Sequence, residues 1–174
     1  MWRSHHGGKI RLTIGLPSIV TVEPSSEAGL DLDGGPKFNV TIIYEDSAAG
    51  RRAKHFYDKV IWELLSECDF NLELWSFQVL GIRQIGKSAA RAAAQADLVI
   101  LSMHGNTELP TQARNWIERW SRLVVDNKPA LVVLLDQTQA KSAKVDSTLR
   151  YLGNVAHRNG ISFYPHTTSC VFEN

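Results

Sequence analysis

The sequence predicts a three-layer αβα sandwich built on a doubly wound, five-stranded parallel sheet. From Phe38 onward, short apolar runs rich in β-branched residues alternate with longer stretches of helical spacing, the pattern of repeated βα units. Two of the runs, Asp97 to Met103 and Ala130 to Asp136, hold unbroken apolar stretches, Leu98 to Leu101 and Ala130 to Leu135, as in strands covered on both faces. Five such strands joined by right-handed helical crossovers give the order 2-1-3-4-5.

Strand one is Phe38 to Tyr44. The helix expected from Ser47 to Glu67 carries Ala53, Phe56, Val60 and Leu64 on one stripe, with Asp46 or Ser47 as its N-cap. Asn71 to Phe77 alternates as a half-buried strand does and is read as strand two, at an edge of the sheet. Gly86 to Ala96 is an alanine-rich helix that lets its backbone approach the sheet closely, and strand three follows it. After Pro110, the residues Ala113, Trp116, Ile117, Trp120 and Val124 recur on one helical stripe and belong in the core. Strand four ends at Asp136. The next helix, Lys141 to Arg158, turns Val145, Leu149, Leu152 and Ala156 inward, and Gly160 is its left-handed C-cap. Ile161 to Tyr164 closes the set as strand five.

Residues 1 to 37 hold three of the six prolines and six of the twelve glycines, so they read as a leader and linker ahead of one domain, 38 to 174. Arg11 to Gly15 and Ser18 to Val22 alternate apolar with polar residues around Leu16-Pro17, which predicts either a short hairpin or disorder. With 44% hydrophobic and 21% charged residues among 174, the chain fits a globular domain. Nineteen Lys and Arg against eighteen Asp and Glu leave a formal charge of +1, and that balance predicts no nucleic-acid partner. No apolar run is long enough for a membrane span or a secretory signal, so a cytoplasmic protein is expected. Cys68 and Cys170 lack any Cys-x-x-Cys spacing and read as reduced thiols. The six histidines show no zinc-ligand spacing, and neither a Gly-x-Gly-x-x-Gly nor a P-loop follows strand one.

Ligands of open α/β sheets bind beyond the carboxyl ends of the strands, where the strand order reverses. Those ends carry Glu45-Asp46 after strand one, Trp75-Ser76-Phe77 after strand two, and Ser102-Met103-His104-Gly105 after strand three. Asp136-Gln137 follows strand four and Tyr164-Pro165-His166 strand five. Glu45, Asp46 and Asp136 would meet at one edge, and a hard cation such as Mg²⁺ would relieve their repulsion through oxygen ligands. The simpler role for Glu45 or Asp46 is to cap the first helix. Ser102 lies in no Gly-x-Ser-x-Gly elbow, which argues against a nucleophile, and His104 reads as a solvated loop residue.

The block Ala96 to Pro110 followed by Trp116 resembles the third-strand segment of flavodoxins, with Gly105 and Glu108-Leu109-Pro110 matching in place. Asp136-Gln137 falls where that family carries Gly-Asp-Gln. This resemblance implies an FMN phosphate held by a hydroxyl-rich loop after strand one, where this chain reads Ser47-Ala48-Ala49-Gly50-Arg51-Arg52. Two of the three hydroxyls are missing, two acids precede the loop, and His104 replaces the tryptophan that stacks on the flavin. Arg51 and Arg52 compensate in part. The same topology is similar to the receiver domains of two-component signalling, and Glu45-Asp46 matches their acidic pair. Ser102, however, replaces the phosphoacceptor aspartate, and Tyr164-Pro165 replaces Lys-Pro. The expectation is therefore a non-catalytic binding or signalling module resembling a degenerate receiver, with no cofactor beyond weak Mg²⁺ and with a protein or small-ligand partner. An FMN-binding electron carrier is the alternative.

Overall fold

The computed structural model describes residues 11–14, 37–64, 69–105, 108–136 and 143–168. Ser18 to Val22, Gln137, Lys141, the end of the first expected helix at Glu67, and both cysteines lie outside them. In chain order the elements are β1 (Arg11–Ile14), β2 (Lys37–Tyr44), α1 (Ser47–Leu64), β3 (Asp69–Ser76), α2 (Phe77–Leu80) and α3 (Arg83–Gln95). They continue with β4 (Leu98–Met103), α4 (Thr111–Leu123), β5 (Ala130–Asp136), α5 (Ala143–Arg158) and β6 (Ser162–Thr168). All strand pairs are parallel, in the order β1-β3-β2-β4-β5-β6. The five expected strands are β2 to β6, and among themselves they keep the order 2-1-3-4-5.

The sheet is wider than that set by one strand. Arg11–Ile14 pairs in parallel with Asn71–Leu74, so β3 is flanked on both sides and is not the edge. Alternation along β3 reports which faces are covered, with Leu72 and Leu74 on one side and Trp75 on the other. It says nothing about lateral hydrogen bonding, which is why the edge assignment failed. The last strand also runs further than expected, placing Pro165 opposite Val133 and His166 opposite Leu134, inside β6 and not beyond its end. Pro is tolerated there because, among the described residues, β6 is paired on one side only, and its missing N–H can fall on the other side.

Helix α1 covers one face of the sheet, packing Ala53 and Tyr57 on Val40, Ile42, Ile100 and Leu134. Burial pushes the Tyr57 phenol up to about 12, with Asp58 adding to the shift. Helices α2 to α5 cover the other face over Ile43, Leu101 and Val133. Small side chains set the spacing of that second layer. Ala89, Ala90 and Ala93 of α3 are fully buried, and a Cβ on Gly86 would lie 2.3 Å from the Leu80 carbonyl oxygen. Trp116 and Trp120 stack in the core with ring centroids 5.6 Å apart. Gly160 has φ +65°, and the Ile161 N–H reaches back to the Ala156 carbonyl at 2.9 Å, closing α5 as its sequence predicts. Among the described residues, no helix is long and apolar enough to cross a membrane.

Candidate functional site

Parallel pairing of β2, β4 and β5 brings their carboxyl ends side by side. Only Glu45 and Asp46 separate the end of β2 from the first turn of α1. A connection this short fixes both side chains. The Asp46 carboxylate accepts the Ala49 N–H at 2.9 Å, so Asp46 is the N-cap of α1. Its second oxygen lies 2.9 Å from His104 Nε2. The Ala49 N–H and then the His104 ring hold the Asp46 carboxyl below the usual carboxylate range. Glu45 accepts the His104 backbone N–H at 2.7 Å, while its own N–H donates to the Ser102 carbonyl at 3.0 Å. These two bonds tie the end of β4 to the end of β2.

Below this rim lies Arg52, on the buried side of α1 one turn beyond Ala49. Its side chain is 4% exposed. One terminal nitrogen donates to the Met103 carbonyl at 2.9 Å, and the other reaches Asp136 Oδ2 at 3.5 Å. The same Asp136 oxygen is 3.9 Å from His104 Nδ1, so His104 stands between Asp46 and Asp136. Ser102 is fully buried, and its hydroxyl donates to the Ala49 carbonyl at 2.8 Å.

The structure thus brings together Glu45, Asp46, Ser102, His104 and Asp136, all of which the sequence places at this edge. Their roles differ from those expected. His104 is held by two carboxylates in place of a free, solvated position, because the end of β4 is pinned through its backbone to Glu45. The repulsion expected among three acids is offset by Arg52 and by polar N–H donors, since each carboxylate meets a protein group before it meets another carboxylate. Among the described residues, no three His, Cys, Asp or Glu side chains converge where a metal ion could be held. Gly50 lies within α1, where a Cβ would come 3.1 Å from the Tyr44 ring. Ser47 is exposed at the first position of α1, and Gly105 is buried after β4.

Arg52 is the residue whose role sequence reading missed. Its signal was the spacing Ala49, Arg52, Phe56, which sets a guanidinium on the inward side of a helix. What it touches could not be inferred, because both partners come from strands distant in sequence.

Comparison with known protein families and with curated proteins finds no match. Solved structures do match. The NAD(P)H:quinone oxidoreductase from Methanothermobacter marburgensis aligns with a TM-score of 0.55 at 10% identity, over 79% of this chain and 87% of that one. The Trp repressor binding protein from Bacillus subtilis aligns with a TM-score of 0.48 at 12% identity, over 75% of this chain and 83% of that one. At such identities the likeness establishes the fold alone. The fold is a flavodoxin-like α/β fold.

Proposed function

We propose that the chain is a non-catalytic binding or signalling module that works by contact with a protein partner or small ligand. The observation that carries this reading is the Asp46 carboxylate on the Ala49 N–H. The first turn of α1 stands at the reversal of strand order, where free N–H groups and the positive end of the helix dipole would receive a cofactor phosphate. An internal carboxylate already supplies negative charge there. Glu45 lies beside it, and two residues form no loop that could wrap a phosphate. A receiver-like role without phosphotransfer draws support from the same acidic pair and from the buried Ser102 at the end of β4.

The second reading is an FMN-binding electron carrier. It is favoured by Gly105 with Glu108-Leu109-Pro110 and by the fold shared with a quinone oxidoreductase. Titrating the purified chain with FMN while following flavin fluorescence separates the two. The module reading expects emission to stay that of free flavin at micromolar protein and a colourless preparation. Saturable quenching, or a protein that purifies yellow, replaces it with the electron-carrier reading.

A further inference from the structure

We propose that the outer face of α3, α4 and α5 docks an acidic segment of a partner protein. This face is distinct from the strand-end edge and stands whatever binds there. Of the nineteen basic and eighteen acidic residues in the chain, nine basic and two acidic ones fall on these three helices. The near-neutral total conceals this separation, since the remaining ten bases and sixteen acids lie elsewhere. All three helices pack on the same side of the sheet, so their polar sides form one surface. On α3 the bases recur every fourth residue at Arg83, Lys87 and Arg91, a stripe ~12 Å long at 1.5 Å per residue.

Most of this charge is not neutralised internally. Glu118 is bound by Arg158 at 3.4 Å and by the Tyr151 hydroxyl at 3.0 Å. Among the described residues, no carboxylate pairs with Arg83, Arg91, Arg119, Arg122 or Arg150. Seven of the nine bases are arginines, whose planar fork matches carboxylate geometry.

Apolar anchors interleave with the charges. Of the four large hydrophobic side chains exposed among the described residues, Ile82, Leu123 and Val125 border this layer of helices. Leu123 and Val125, 44% and 71% exposed, line a cleft of about 530 Å³ with Arg91 and Ala94 at the adjoining ends of α3 and α4. Arg91 is the one base in the lining and Asp126 the one acid, so the cleft supplies an aliphatic anchor while the arginines on the surrounding helices supply the charge for a carboxylate-bearing peptide that inserts one apolar side chain. A nucleic acid offers nothing to fill an aliphatic cleft. The aromatic residues of these helices, on which bases could stack, are buried or half-buried, Tyr151 beneath Arg114 at 4.8 Å.

The test measures fluorescence anisotropy of a labelled poly-glutamate peptide carrying one central leucine, added to the full chain. Binding should weaken steeply with added salt. The double reversal Arg91→Glu, Arg122→Glu should weaken it at least about tenfold, while Lys59→Glu on the opposite face leaves it within about twofold. Leu123→Ser should weaken it several-fold without changing the salt dependence. Circular dichroism melts verify that each variant folds, and Arg122→Glu alone serves if the double reversal does not. The proposal is overturned if the wild-type chain does not bind the peptide, or if Lys59→Glu loses as much as the double reversal. It is also overturned if duplex DNA or phosphatidylserine vesicles bind more tightly than the peptide, or if the basic face proves to be covered by a second copy that the reversal releases.

Discussion

At the strand ends, Asp46, His104, Asp136 and Arg52 are linked by contacts of 2.9 to 3.9 Å, so opposite charges and polar donors answer one another within the domain. On the outer face of α3 to α5, nine bases face two acids, and among the described residues only Arg158 of these bases makes an ion pair. Both regions are rich in charge, but they spend it differently. The first holds chain segments together: Arg52 ties α1 to the ends of β4 and β5, and Glu45 ties the end of β2 to that of β4. The second leaves its charge to solvent, where like charges cost little at the Debye screening of physiological salt. Charge that is internally satisfied is structural, and charge left unsatisfied on a continuous surface is available to a partner.

The comparison breaks most readily at Arg52. Replacing it with Met removes the buried guanidinium from Asp136 and from the Met103 carbonyl. The expected loss is about 2–4 kcal/mol of unfolding free energy, measured by urea denaturation. A loss below 0.5 kcal/mol, the range of an ordinary surface change, would show that the strand-end network is not holding the segments.

Asp46→Ala should cost less, about 1 kcal/mol, as expected for loss of an N-cap. Its pH dependence follows from the lowered carboxyl value. Stability from the ionised cap is present above the unfolded value of ~3.9 and is lost as pH falls through the lower folded value. The gap in stability between wild type and Asp46→Ala should therefore hold at neutral pH and close in strong acid. A gap that persists unchanged below pH ~2 would assign it to packing.

The smallest effect is expected on the helical face. Arg119→Ala should change stability by no more than ~0.5 kcal/mol in either direction, because Arg119 is exposed and pairs with no carboxylate among the described residues. Thermal melts compare it directly with Arg52→Met. A loss at Arg119 approaching that at Arg52 would erase the distinction between the two regions.

Much of the fold was legible in the chain itself. Continuous apolar runs marked β4 and β5, the alanine series marked α3, and the stripe from Ala113 to Val124 marked α4 with its two core tryptophans. These are local patterns, fixed by the period of the element and the face it must bury. Gly160 was legible for the same reason, since a left-handed residue after a helix end is a local requirement. The sixth strand was not. Arg11–Ile14 has the alternation of a strand, yet whether it folds into a hairpin or adds to β3 depends on a pairing partner far along the chain.

The candidate site divides along the same line. Sequence alone placed Glu45, Asp46, Ser102, His104 and Asp136 at one edge, because topology and strand ends suffice for that. It could also see Asp46 as a cap, since an N-cap and its N3 amide are three residues apart. Only the tertiary structure decided that Arg52 turns inward to Asp136, that His104 stands between two carboxylates, and that nine bases share one face. Each of these depends on distances between elements that the chain order does not encode, and electrostatic energy follows distance in space, whatever the separation along the chain. A net charge of +1 describes the composition; where the charges meet, and where they do not, is set by packing.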